Sequence, residues 1–160
     1  RALERRPDYP EAYLVQGRLY EQQGLEERAL EAYGQAIRVG DLAEPHFRRA
    51  IIRIRSGRLE DARGDLEDAV RLQPVFPEAH YWLGRVHFAQ SQYNDAIEHF
   101  RLAVSQQDDG YPEARYYQGL AEELAGRPAE AAASYQAVIE KGAGSIWASE
   151  AREALAGLDN

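Results

Sequence analysis

The tripeptide Pro-Glu-Ala occurs three times in this chain, and it opens three segments that resemble one another well beyond the tripeptide. The copies start at Pro10, Pro77 and Pro112, and in each a glycine, an alanine and an aromatic residue follow at the same offsets. A weaker copy fills the gap between the first two segments. The alanines that mark the four copies advance by 33, 34 and 35 residues: Ala29, Ala62, Ala96 and Ala131. A repeat of this length predicts similar structural units that bury their apolar faces by stacking in series.

Each copy is predicted to form two helices. A proline at the first helical position supplies a fixed backbone angle, and the glutamate after it suits the positive end of the helix dipole. The first helix should stop near a residue that readily leaves helical geometry, namely Gly24, Gly57, Ser91 or Gly126. The second helix should run to a joint near Asp41, Pro74, Asp108 or Gly142. Small residues such as Gly17 and Ala29 should lie where the paired helices approach closely, because a larger side chain there would overpack the contact.

The best copy allows the pattern to be compared with a known family. It reads His80-x2-Leu83-Gly84-x2-His87 and then Ala96-x3-Phe100. This resembles the tetratricopeptide repeat, in which W-x2-L-G-x2-Y, A-x3-F and a proline recur about every 34 residues. The resemblance implies an all-α fold, a right-handed superhelical solenoid of four helix–turn–helix repeats with a C-terminal capping helix. It also implies that the first helices line a concave groove in which ligands bind.

We expect residues 1–160 to form a single domain of this type and to be an excerpt of a longer protein. The predicted repeats span 10–41, 43–75, 77–109 and 112–143, and 1–7 should be the remnant of an earlier repeat helix. Residues 145–158 should form the capping helix, although they could equally begin a fifth copy. Ser145 can cap this helix at its start. Its apolar residues fall on one face: Trp147, Ala151, Ala154, Leu155 and Leu158.

The second repeat departs from the pattern and leaves two interpretations open. His46, Arg49 and Arg53 stand where the family places Trp, Leu and Tyr. Either the first helix is rotated so that the stripe of Phe47 and Ile51 packs inside, or the helix keeps its phase and turns that stripe into the groove. In the second case the arginine stems would lie along apolar neighbours with their charged heads in water.

The groove-facing positions of the first helices form an aromatic and aliphatic strip that contains two arginines. The predicted partner-binding residues of this strip are Leu14, Arg18, Phe47, Ile51, Tyr81, Arg85, Phe88, Tyr116 and Leu120. Such a surface could bury an apolar side chain of a partner while an arginine holds a carboxylate or carbonyl. The alternative is that part of the strip packs against adjacent helices or the capping helix.

Arginines cluster in the second repeat of an otherwise acidic chain: Arg48, Arg49, Arg53, Arg55, Arg58 and Arg63. One interpretation is a solvated face paired with Glu60, Asp61 and Asp65. The other adds Arg48 and Arg55 to the partner-binding residues and predicts an acidic peptide partner.

Composition argues against several classes of function. The net charge of −8 opposes binding to a nucleic-acid backbone, and no apolar run is long enough to insert in a membrane. The absence of cysteine removes thiol nucleophiles and zinc–thiolate sites. His80 and His87 lie seven residues apart on one helix, but two ligands make a weak metal site and both occupy positions used for packing. No catalytic, cofactor or metal-binding residue is predicted, and we do not expect an enzyme.

The predicted function is therefore a protein–protein interaction scaffold that binds a partner protein or peptide in the groove as part of a larger protein. The alternative is a docking or regulatory module of an enzyme whose catalytic domain lies outside this segment. Weak self-association through exposed end faces is a further expectation. The sequence does not indicate a compartment.

Overall fold

The computed structural model of the protein describes residues 9–108 and 110–158, and within them every regular element is an α-helix. The chain divides into two compact units, Arg1–Pro74 (unit 1) and Val75–Asn160 (unit 2). The prediction of an all-α chain of helix–turn–helix repeats is confirmed. The remnant helix predicted at 1–7 lies outside the described residues, and the single domain and its repeat boundaries stay predictions.

Unit 1 consists of two helical hairpins. The first pairs α1 (Pro10–Gln22) with α2 (Glu26–Val39), and the second pairs α3 (Ala43–Arg55) with α4 (Leu59–Leu72). The hairpins pack through an apolar cluster in which Leu14, Ala29 and Tyr33 of the first meet Ile52 of the second.

Unit 2 consists of two hairpins and a further helix. α5 (Pro77–Ala89) pairs with α6 (Tyr93–Ser105), and α7 (Pro112–Leu124) pairs with α8 (Pro128–Lys141). The last helix, α9 (Ile146–Leu158), packs on α8. Ser145 caps it as predicted, because its Oγ accepts the backbone N–H of Ala148 at 3.2 Å. The predicted apolar face of α9 covers Ala131, Tyr135 and Val138 of α8.

The turns inside the hairpins lie where the sequence predicts them. Gly24, Gly57 and Gly126 adopt φ between +72° and +75°, a left-handed conformation that glycine reaches without steric cost. Ser91 holds the equivalent position with φ of 60°, so it carries strain that its three counterparts avoid.

The glycines of the first helices mark the closest approach between paired helices. A Cβ added to Gly84 would lie 2.7 Å from Cε1 of Phe100, and one on Gly119 would lie 2.6 Å from Cε1 of Tyr135. Gly17 faces Tyr33 in the same way. The second repeat has Ala50 in the glycine position and Leu66 in the aromatic position, and both are fully buried. A larger residue on one helix is thus matched by a smaller one on its partner.

The structure decides the phase of the second repeat. His46 and Ala50 of α3 are buried, whereas Phe47 and Ile51 are only partly buried, so the helix keeps the phase of the other repeats. The prediction for the arginine heads was wrong. Arg49 and Arg53 do not extend their heads into water; they bind the buried carboxylate of Asp65 on α4, with contacts of 2.5 and 2.6 Å.

Candidate partner-binding surfaces

The first helices of unit 1, α1 and α3, carry a chain of ion pairs. Glu44 binds both Arg18 and Arg48, the latter at 2.8 Å from Nε. Glu21 in turn lies 2.9 Å from Nη2 of Arg55 and 3.6 Å from Nη1 of Arg48. We call these five residues the first-helix surface of unit 1; it lines most of an open cleft of about 580 Å³.

The charges of this surface stabilise one another. Burial acts to raise the pKa of Glu44, but hydrogen bonds from Arg18 and Arg48 outweigh it and hold the pKa below its ordinary value. Burial acts to lower the pKa of Arg48, but its hydrogen bond to Glu44 and the attraction of nearby acidic groups together raise it. Arg48 and Arg55, predicted to attract an acidic partner, are therefore already paired with carboxylates of unit 1.

The equivalent helices of unit 2, α5 and α7, carry aromatic side chains instead. Phe88 packs edge-on against Tyr117, with ring centroids 6.2 Å apart. The guanidinium of Arg85 lies 4.1 Å from the centroid of the Tyr117 ring and 5.8 Å from that of Trp82. Arg85 is thus held between rings by cation–π contacts.

A tyrosine hydroxyl separates Arg85 from the nearest glutamate across the helix pair. Nη1 of Arg85 donates to the hydroxyl of Tyr81 at 2.6 Å, and that hydroxyl donates to Oε1 of Glu113 at 2.6 Å. Burial, with the hydrogen bond to Glu113, raises the pKa of Tyr81 well above its ordinary value, so the hydroxyl stays protonated.

The two surfaces occupy the same repeat positions when the hairpins are aligned on Gly17, Ala50, Gly84 and Gly119. Each first-helix residue of unit 1 has one counterpart in unit 2. In the order Arg18, Glu21, Glu44, Arg48, Arg55, the counterparts are Arg85, Phe88, Glu113, Tyr117 and Leu124, which we call the first-helix surface of unit 2. Three charged positions have become apolar or aromatic, and one arginine and one glutamate remain.

The predicted binding residues divide by burial. Leu14 and Tyr81 are only 8% and 3% exposed, so they support the surface from below. Tyr116 and Leu120 pack against the cluster beneath α9, and Phe47 and Ile51 are partly buried. Arg18, Arg48, Arg55, Arg85 and Phe88 lie on the first-helix surfaces.

Sequence reasoning did not name Tyr117 or Leu124, although Leu124 is 53% exposed. The repeat itself could have indicated them, because Tyr117 and Leu124 stand in the positions of Arg48 and Arg55, which are among the predicted binding residues. Tyr117, Leu120 and Leu124 recur at the spacing that places residues on one face of a helix, so α7 presents an apolar stripe.

A polar layer lies between the two helices of three hairpins, and its chemistry differs in each. In the second hairpin Asp65 meets His46, Arg49 and Arg53. In the third hairpin, His99 lies between His80 and His87. Its Nδ1 is 3.2 Å from Nδ1 of His80, and its ring is stacked on that of His87 with centroids 5.4 Å apart.

In the fourth hairpin the layer is built on a buried glutamate. Glu122 accepts hydrogen bonds from Gln118 at 2.7 Å and from Ser134 at 2.6 Å. Within residues 9–108 and 110–158, no group of three histidines or carboxylates has the geometry of a metal site. Each layer joins side chains from the two helices of its hairpin.

No helix in the described part of the chain is long and apolar enough to cross a membrane.

Solved structures with the same helical repeat resemble the chain over most of its length. A crystal structure of MamA is 26% identical, covers 87% of this chain and 76% of its own, and has a TM-score of 0.78. YrrB, described as a TPR protein with an unusual peptide-binding site, is 20% identical, with 95% and 78% coverage and a TM-score of 0.80. The first TPR of Spaghetti (RPAP3), bound to the HSP90 peptide SRMEEVD, is 18% identical, with 73% and 90% coverage and a TM-score of 0.67.

Sequence comparison gives a consistent assignment. No curated protein is a significant sequence match for the chain. The family model of the tetratricopeptide repeat, however, matches residues 1–45, 47–112 and 106–146. These segments span most of the four repeats found from the sequence alone, and the chain belongs to the tetratricopeptide repeat family.

Proposed function

We propose that this protein is an interaction scaffold and that it binds a partner protein or peptide on the first-helix surface of unit 2. The observation that carries the proposal is the apolar face of α7, where Leu124 is 53% exposed and lies on the same side of the helix as the partly buried ring of Tyr117. Partly exposed aromatic and aliphatic side chains around an arginine are the composition expected of an interface hot spot.

Two further observations support this role. Repeats of this family and their structural neighbours are in general non-catalytic scaffolds. Two neighbours, YrrB and the RPAP3 domain, are peptide-binding proteins by their own descriptions.

In unit 1 the corresponding surface is charged and internally paired, so a partner there would have to displace existing ion pairs.

The experiment that tests the proposal is a selection of peptides from a phage-displayed random library on the intact protein, followed by affinity measurements on purified variants. Leu124→Glu should weaken the selected peptides by about tenfold or more, because it places a charge in the apolar contact. Leu124 is exposed, so this change should leave the helical circular dichroism spectrum unchanged.

A matched control is available on a second helix of the same unit. Leu102 on α6 is 37% exposed and borders a different cleft of about 550 Å³, so Leu102→Glu should not affect binding. The proposal fails if no peptide is selected. It also fails if Leu102→Glu weakens binding while Leu124→Glu does not, since the partner would then occupy the second-helix cleft.

A further inference from the structure

One pair of repeat positions differs between the two units in a way that changes the chemistry of the surface. Arg18 and Glu44 form a direct ion pair in unit 1. Their counterparts Arg85 and Glu113 do not, because the hydroxyl of Tyr81 lies between them. The residue at the position of Tyr81 in unit 1 is Leu14, which has no polar atom to insert.

The charge of Arg85 is consequently left without a carboxylate among the described residues. Its hydrogen bond goes to a protonated tyrosine, and its guanidinium carbon lies 4.1 Å from the centroid of the Tyr117 ring. Stacking uses the faces of a guanidinium and leaves the donors on its edge, which match the two oxygens of a carboxylate. In unit 1 the position of Tyr117 holds Arg48, which also binds Glu44, so no comparable arginine arises there.

We propose that Arg85 binds a carboxylate of the partner, and that the partner segment carries an aspartate or glutamate next to an aromatic or aliphatic side chain. The apolar side chain is expected because the ring of Tyr117 adjoins the guanidinium and Phe88 packs against that ring. Tyr81 is a positioning residue: by holding both Arg85 and Glu113 it keeps them from neutralising each other. This inference rests on the proposed function and specifies the partner chemistry.

The test begins with the phage-selected peptides described above. Peptides selected on the wild-type protein should be enriched in Asp or Glu adjacent to Phe, Tyr, Leu or Ile. Arg85→Gln should weaken the strongest of them about tenfold, the usual effect of removing a hydrogen bond to a charged group. Changing the acidic residue of the synthetic peptide to its amide should weaken binding by a similar factor, and the two changes together should cost little more than either alone.

Tyr81→Phe provides a sharper test of positioning. Removing the hydroxyl should let Arg85 pair with Glu113 as Arg18 pairs with Glu44. The acidic peptide should then bind several-fold more weakly, while its amide analogue should bind the variant and the wild type equally well. A loss of packing alone would weaken both peptides alike. Arg18→Gln in unit 1 is the matched control and should leave both affinities unchanged.

The possible results separate the two proposals. If peptides are selected and depend on Leu124, but show no acidic enrichment or bind Arg85→Gln as tightly as wild type, the carboxylate site is wrong and the proposed function stands. If no peptide is selected, both are wrong.

Discussion

Equivalent positions of the two units carry side chains of different chemistry. In unit 1 the first-helix surface is a chain of alternating arginines and glutamates, and the layer inside the second hairpin is a carboxylate held by Arg49 and Arg53. In unit 2 the corresponding surface is aromatic, and the layers inside the hairpins are a histidine cluster and a hydrogen-bonded group around Glu122. A repeat thus constrains helix placement tightly and side-chain chemistry loosely.

The largest expected difference between the units lies in these internal layers. Asp65→Ala should destabilise unit 1 by about 3–5 kcal/mol, because it leaves Arg49 and Arg53 partly buried without their shared carboxylate. Ser134→Ala changes the equivalent position of unit 2 and removes only one hydrogen bond, for a loss of about 1 kcal/mol. Urea unfolding followed by far-UV circular dichroism measures both. Similar losses in the two variants would show that the units are stabilised alike.

The tryptophans make this test specific to a unit. Trp82 and Trp147 are the two tryptophans of the chain, and both belong to unit 2. Their fluorescence therefore follows the unfolding of unit 2, while circular dichroism follows both units. Asp65→Ala should shift the circular dichroism transition more than the fluorescence transition.

The second expected effect concerns a close contact between the paired helices α5 and α6. Gly84→Ala should cost about 1–3 kcal/mol, because the added methyl group would overlap the buried ring of Phe100. The second repeat has Ala50 in this position, and the residue in the position of Phe100 is the smaller Leu66. Adding Phe100→Leu to Gly84→Ala should therefore recover part of the lost free energy of unfolding. No recovery would mean that the glycine is required for a reason other than the size of the facing residue.

The third prediction uses pH, since the two units should respond with opposite sign. Burial, followed by repulsion from His80 and His87, lowers the pKa of His99 to about 4, with Asp95 acting in the opposite direction. On acidification the unfolded chain binds a proton at His99 near pH 6.5, whereas the folded chain binds it only near pH 4. Stability should fall as the pH drops through this interval, by roughly 2 kcal/mol at pH 5. The variant His99→Gln should lose stability less steeply on acidification than wild type.

His46 supplies the control for that experiment. Burial acts to lower its pKa, but the carboxylates of Asp65 and Asp41, at 3.6 and 3.1 Å from its ring nitrogens, outweigh burial and raise it. Its contribution to stability is therefore present below the unfolded pKa and is lost as the pH rises through the folded pKa. His46→Gln should make acid unfolding steeper than in wild type. The same direction of change in both variants would contradict the assigned environments.

The smallest expected effect lies in the turns. Ser91→Gly should stabilise unit 2 by about 1 kcal/mol, because glycine adopts φ of 60° without the steric cost of a side chain. Gly57→Ser in unit 1 should cost a similar amount. Thermal unfolding of the two variants measures both shifts, and a loss of stability in Ser91→Gly would mean that the serine side chain has a stabilising role of its own.

Much of the fold followed from local patterns. The positions of Gly24, Gly57, Ser91 and Gly126 predicted where the first helices end, and Ser145 predicted the start of the last helix. Backbone angles and caps depend on residues adjacent in the chain, which is why a sequence displays them directly. The sequence named Asp65 as a possible partner of the arginine cluster, but it did not predict that this carboxylate is buried. The contacts of His99 with His80 and of Arg85 with Tyr117 could not be predicted in this way, since each joins two helices and depends on the rotamers of both side chains.

The sequence by itself determined that the chain forms paired helices of one repeating kind, because the period and the small residues at close contacts depend only on identity and spacing. It also assigned each side chain to a position on its helix. Only the tertiary structure decided which polar groups meet across the helices. In unit 1 an arginine and a glutamate contact each other, whereas in unit 2 a tyrosine hydroxyl stands between the same two residue types. The physical reason is that a hydrogen bond depends on the distance between atoms, to within a few tenths of an ångström, and a repeat pattern does not specify distances at that scale.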